Sequence, residues 1–140
     1  MYVNLKKKYG QNFLIDKNIT NKIVNLISND NLRILEIGPG DGKLTYEIIK
    51  KKPQKLDLIE IDQDLVKDLN EKFSDYNFVR VINNNILKYD IKQYYDLVIS
   101  NLPYNISSQV LIKLAMMQNV PKEMILMFQK EFAVKLLDKN

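Results

Sequence analysis

Arg33-Ile34-Leu35-Glu36-Ile37-Gly38-Pro39-Gly40-Asp41-Gly42 decides the fold. Five residues of strand character run into a glycine-rich turn. An amphipathic helix follows, from Leu44 to about Lys51, ended by Pro53. Strand, glycine turn and helix form the first half of a βαβ unit, and outward from it the pattern repeats. Lys55 to Ile61 predicts a second strand, and Gln63 to Phe73 a helix with Leu65, Val66, Leu69 and Phe73 inward. Phe78 to Ile82 predicts a third strand. Tyr95 to Ser100 predicts a fourth, followed by a helix from about Ser107 to Met117. Met124 to Phe128 predicts a fifth strand, running into a last helix over Lys130 to Leu137. Upstream, Asp16 is placed to cap a helix with Ile19, Ile23, Leu26 and Ile27 on one face, and Met1 to Leu14 has no clear period and is expected to lie extended across the domain. Apolar strands alternating with amphipathic helices predict an α/β domain with a parallel sheet of about five strands. Right-handed crossovers put the C-terminal ends of those strands on one rim, where ligands bind near the switch point of the strand order.

Composition narrows the chemistry. The 140 residues suffice for one domain with a core, and the apolar fraction of 46% is that of a globular protein. The net charge is +4, with lysines clustered at Lys6-Lys7-Lys8 and Lys50-Lys51-Lys52; this is compatible with a nucleic-acid partner, but composition alone favours a solvated surface. The chain has no Cys and no His, which removes disulfides, thiolate metal sites and the commonest general base. No metal is expected. No apolar run approaches the ~18 residues of a membrane span, so no membrane role is expected and a cytoplasmic location is.

The notable motifs fall on the predicted rim. Gly38-Pro39-Gly40 lets backbone approach a ligand closely. Glu60, about 20 residues beyond it at the tip of the second strand, is placed to accept the hydroxyl protons of a ribose. Together they indicate an adenosine-containing cofactor. Gly42 comes one residue earlier than the last glycine of Gly-x-Gly-x-x-Gly, which leans away from a dinucleotide. After the fourth strand comes Asn101-Leu102-Pro103-Tyr104. An aromatic amine is a poor nucleophile because its lone pair is delocalised. The side-chain oxygen of Asn101 and the carbonyl of Leu102 are suited to accept its hydrogens and free that lone pair. Pro103 stiffens the turn, and Tyr104 offers a face for an unstacked base. Each motif has a bland reading as turn chemistry or surface carboxylate; their shared rim favours the chemical one.

These residues resemble the rRNA adenine N6-dimethyltransferases, which include the small-subunit dimethyladenosine transferases and the macrolide-resistance methylases of large-subunit rRNA. The resemblance runs the length of the chain. Lys8-Tyr9-Gly10-Gln11-Asn12-Phe13-Leu14 is similar to the family's N-terminal signature, which implies that Gln11, Asn12 and Leu14 help hold S-adenosyl-L-methionine. Glu36 to Gly42 with Leu44-Thr45 is similar to the methionine-side loop, giving Gly38 and Gly40 cofactor contacts. Glu60 falls at the ribose-binding acid and Asn101-Leu102-Pro103-Tyr104-Asn105-Ile106-Ser107 at the catalytic motif, with Asn101 also beside the cofactor. Phe128-Gln129-Lys130-Glu131-Phe132-Ala133 resembles the late motif lining the target-base pocket, which implies Phe132 as the second aromatic wall with Phe128 behind it. The implied fold is a Rossmann-like class I methyltransferase. The implied activity is N6-dimethylation of rRNA adenosines, with the Gln129-Lys130-Glu131 and Asn105-Ile106-Ser107 details pointing to two adjacent adenosines near the 3′ end of small-subunit rRNA and a role in ribosome maturation. The expected partner is the pre-ribosomal small subunit, met as a monomer.

Two departures from the family pattern stand out. Where the family has Asp after the third strand, accepting from the cofactor's adenine amino group, this chain has Asn85; the loss of charge assistance is worth about 1 kcal/mol. The family's catalytic domain also continues into a final strand pair and then a small helical domain that helps choose the RNA. The chain is expected to stop before both, so activity is expected of the parent protein and weak cofactor binding of the isolated chain. Competing readings are a large-subunit rRNA methylase, a non-catalytic RNA-binding assembly factor and a nicotinamide-dependent oxidoreductase.

Overall fold

Successive residues of the first strand belong to different cores. Ile34 packs with Leu56, Leu58, Leu97, Ile99 and Ile125 on one face of a sheet, while Leu35 and Ile37 pack with Ile59, Val98, Met124 and Leu126 on the other. Strands buried on both faces are largely apolar and covered by helices on each side; here only Glu36 and Asp57 interrupt the apolar runs of β1 and β2 before their tips. The computed structural model describes residues 17–102, 104–128 and 131–136. The elements are α1 (Lys17–Asn25), β1 (Arg33–Ile37), α2 (Lys43–Ile49), β2 (Lys55–Glu60), α3 (Gln63–Lys72), β3 (Val79–Asn83), β4 (Leu97–Leu102), α4 (Tyr104–Ala115), β5 (Glu123–Phe128) and β6 (Glu131–Leu136).

The sheet order is β3-β2-β1-β4-β5-β6, with the first five strands parallel and β6 antiparallel to β5. The strand order reverses between β1 and β4, so their C-terminal ends flank the switch point. Ile23, Val24, Ile27, Leu44, Ile48, Leu69 and Phe73 cover one face; Val110 and Leu114 of α4 cover the other. The carboxylate of Asp62 caps α3 by accepting the N–H groups of Asp64 (2.9 Å) and Leu65 (3.5 Å). Leu26, expected on the inward face of the first helix, lies past the end of α1 and is exposed. Asp16, its expected cap, lies outside the described residues.

Three expectations are corrected. The fourth strand runs from Leu97 to Leu102, two residues later than Tyr95 to Ser100. Tyr95 and Asp96 anchor the entry instead: the Tyr95 hydroxyl donates to the buried Asp57 carboxylate, and Asp96 Oδ2 accepts the Arg33 N–H at 2.8 Å. Asp57 also takes Arg80, at 3.3 and 3.0 Å, so its buried charge is paired. The β5 ladder meanwhile continues through Asn101↔Met127 and Leu102↔Phe128. The following helix starts at Tyr104 and not near Ser107, since Ile106 in its first turn already packs on the core that Val110 and Leu114 fill. Finally, the helix expected over Lys130 to Leu137 is instead β6. Phe132, Val134 and Leu136 alternate as a strand requires, and pairing satisfies the backbone groups along the edge of β5. The sheet therefore does not end at β5.

Candidate functional site

The glycine loop leaves β1 in a conformation open chiefly to glycine. Gly38, Gly40 and Gly42 have φ of 72°, 61° and 87°. Gly38 also faces the end of β4: a Cβ there would lie 2.9 Å from Leu102 Cδ2 and 3.1 Å from the Asn101 carbonyl oxygen. The glycine loop and the end of β4 are thus in contact across the switch point. Gly42 N-caps α2, and its missing Cβ makes room for the Phe73 ring, 2.8 Å from where that atom would be.

Glu60 ends β2 and is 5% exposed. Its two carboxylate oxygens accept from different backbone groups, Oε1 from the Gly40 N–H at 3.2 Å and Oε2 from the Asp62 N–H at 3.0 Å. Burial pushes its pKa up against the pull of those N–H donors. The residue read as a ribose acceptor is therefore also the brace between the glycine loop and the β2–α3 corner. The Ile61 N–H also acts on this carboxylate, which leaves it a lone pair for a hydroxyl.

The three asparagines at the end of β3 divide the work. Asn83 Nδ2 donates to the carbonyls of Glu60 (3.0 Å) and Ile61 (3.2 Å), fastening β3 to the tip of β2. Asn84 Oδ1 accepts the Asn85 N–H at 2.8 Å. Asn85 opens a tight turn: its Oδ1 accepts the Leu87 N–H at 3.0 Å, and its carbonyl accepts the N–H groups of Lys88 and Tyr89, each at 2.9 Å. The amide oxygen expected to meet an adenine amino group thus already holds its own loop, with one lone pair left.

At the end of β4, Asn101 and Leu102 are strand residues, and only position 103 separates them from α4. The Leu102 carbonyl accepts a hydrogen bond from the buried Ser107 hydroxyl at 3.1 Å. The strand register puts Phe128 one strand from Leu102. Phe132 stands opposite Met127, two strands from Asn101, roughly 10 Å by backbone spacing. Gln11, Asn12, Leu14 and Pro103 lie outside the described residues, as do Gln129 and Lys130.

Two side chains that sequence reasoning gave no role join the site. Glu36 is fully buried beneath the glycine loop; its Oε1 accepts the Thr45 hydroxyl at 2.5 Å, and its Oε2 has no partner among the described residues. Burial, reinforced by the charges of Asp41 and Glu60 and opposed by Thr45, pushes its pKa up to about 8. The signal was a carboxylate inside an apolar strand. Ser107 is the other, recognisable only once Leu102 is known to end a strand. Among the described residues no cluster of His, Cys, Asp or Glu could hold a metal ion, and no helix is long and apolar enough to cross a membrane.

Residues 2–140 match the family model described as ribosomal RNA adenine dimethylase. The chain is 46% identical over 137 residues to the ribosomal RNA small subunit methyltransferase A of Mycoplasmopsis pulmonis, covering 96% of this chain and 53% of the relative. It is 43% identical to the protein of that name from Pelagibacter ubique, over 98% of this chain and 54% of the relative. The chain thus spans about half the length of the curated relatives it matches. Among solved structures it resembles a dimethyladenosine transferase from Plasmodium falciparum (TM-score 0.76, 28% identity, 84% of this chain and 43% of that one) and the 23S rRNA methyltransferase ErmE (TM-score 0.74, 26% identity, 84% and 48%).

Proposed function

The chain belongs to the ribosomal RNA adenine dimethylase family, and from that premise we propose that it dimethylates adenosine N6 in small-subunit rRNA with S-adenosyl-L-methionine as methyl donor. The targets are two adjacent adenosines near the 3′ end, and the protein acts as a cytoplasmic monomer in ribosome maturation. The observation that carries this reading is the contact of Gly38 with Asn101 and Leu102, which sets a cofactor loop against a grip for a planar amine. The relatives named for the small subunit are far closer in sequence than the large-subunit enzyme, which favours the small subunit.

The residues present fit the cofactor. The positive φ of Gly38 and Gly40 turns the backbone of the loop without side chains, which suits the close approach of its methionine end. The buried Glu36 Oε2, without a partner among the described residues, can accept from the methionine ammonium, whose charge would favour the ionised carboxylate, and the Glu60 carboxylate keeps a lone pair for a ribose hydroxyl. Asn85 keeps one lone pair for the adenine amino group, and Gln11, Asn12 and Leu14 are assigned to the methionine end by the family signature. When bound, S-adenosylmethionine supplies a methyl group already activated on a sulfonium, so the protein's work is positioning.

That work falls to the end of β4. The Asn101 side-chain oxygen and the Leu102 carbonyl accept the two N6 hydrogens and draw the nitrogen toward a pyramidal shape, freeing its lone pair. Ser107 holds the Leu102 carbonyl in direction from behind. Tyr104 stacks on the flipped base, with Phe128 and Phe132 toward its far side. No imidazole or thiol is required, which agrees with a chain that has neither. Incubation with S-adenosylmethionine and separated, unmodified ribosomal subunits tests the reading: methyl label enters small-subunit rRNA. Label confined to the large subunit, or in neither, contradicts it.

A further inference from the structure

Helix α4 begins at Tyr104, directly after the proposed base grip, and carries Lys113 near its other end. The nine helical steps between them make a strut of about 14 Å. Nζ of Lys113 donates to the carbonyl of Ile86 at 2.5 Å and to the carbonyl of Tyr89. Those carbonyls belong to the turn that Asn85 opens, in which Asn85 Oδ1 holds Leu87 and its carbonyl holds Lys88 and Tyr89. The turn therefore has an amide cap at one end and an ammonium at the other, the arrangement that a short run of aligned peptide dipoles favours. Ile86 is buried in the same cluster as Val110 and Leu114, so the helix surface beside Lys113 also grips the turn by packing. Burial lowers the Lys113 pKa, and the charge of Asp90 opposes this. On the β2 side, Asn83 ties the preceding residues to Glu60 and Ile61.

We infer that Lys113 is a positioning residue for the cofactor's adenine: it locks the Asn85 turn to the helix that starts at the target-base motif. Adenine recognition and base grip thereby keep one fixed spacing. Hydrogen bonds from a charged donor are the stronger kind. The inference rests on reading Asn85 as the acceptor for the adenine amino group.

Calorimetric titration with S-adenosylhomocysteine and with S-inosylhomocysteine, whose purine carries an oxo group in place of the amino group, tests it. The wild type prefers the adenosyl ligand. Lys113→Met weakens that ligand about tenfold and brings the two affinities to within about twofold, while Lys113→Arg keeps the preference. A merely structural lysine would lower melting temperature without changing base discrimination well below it. Wild-type discrimination in Lys113→Met overturns the inference. If the wild type binds neither ligand, the cofactor reading itself fails. Should Lys113→Met not fold, hydrogen exchange on the wild type decides: S-adenosylhomocysteine slows the Leu87, Lys88 and Tyr89 amides, and unchanged exchange there overturns the inference.

Discussion

Gly38 and Leu102 touch across the sheet's switch point, where a single added carbon on Gly38 would sit 2.9 Å from Leu102 Cδ2 and 3.1 Å from the Asn101 carbonyl. Gly38→Ala meets that crowding with a φ of 72°, which L side chains resist at a cost of about 1–2 kcal/mol. Urea unfolding is expected to show a total loss of about 2–4 kcal/mol, and calorimetry a loss of S-adenosylmethionine binding. Adding Leu102→Ala recovers part of the stability, since the side-chain clash goes and the carbonyl contact stays. A Gly38→Ala protein with wild-type stability would refute the contact.

Ser107 reaches the reacting group only through the Leu102 carbonyl. Ser107→Ala is expected to lower kcat for rRNA methylation about five- to tenfold, the worth of one neutral hydrogen bond, with S-adenosylmethionine affinity unchanged. Ser107→Thr restores most of the rate. Equal losses in rate and in cofactor affinity would show a general disturbance of the site instead.

Glu36 gives stability a pH dependence of defined sign. Its pKa rises from 4.5 in the unfolded chain to about 8 in the folded one. The folded state then holds the proton more tightly, so this contribution is complete below about pH 4.5 and is lost as pH rises through about 8. Glu36→Gln keeps an acceptor for Thr45 and removes the titration. Unfolding free energies at pH 5 and pH 8 are expected to differ less in Glu36→Gln than in the wild type; an unchanged difference counts against a buried, neutral Glu36.

What the sequence could reveal depended on how local each signal was. β1 and β2 were legible because their apolar runs are bounded by glycine, proline and a polar tip, and the sheet reads them one at a time. The end of β4 was not, because Asn101 and Leu102 are strand residues only by virtue of pairing with Met127 and Phe128. β6 fits both periods: Phe132 and Leu136 align at helical spacing as well as on one strand face, and the edge of β5 decides between them. In the site, the rim position of Gly38, Glu60, Asn85 and Asn101 followed from topology alone. The second duty of Glu60, bracing Gly40 and Asp62, did not, since its donors are backbone groups that sequence does not distinguish. Glu36 and Thr45 lie nine positions apart and Lys113 and Ile86 lie 27 apart; only the folded chain brings either pair together.

The most direct measurement is tritium transfer from S-adenosylmethionine to unmodified small subunits by the wild type and by Asn101→Ala, with the nucleosides of the rRNA digest identified and cofactor affinity measured alongside. The account predicts label in N6,N6-dimethyladenosine for the wild type, and for Asn101→Ala a loss of at least about a hundredfold, more than one neutral hydrogen bond supplies, with cofactor binding largely retained. Wild-type turnover in Asn101→Ala, or label in a nucleoside other than methylated adenosine, would contradict it.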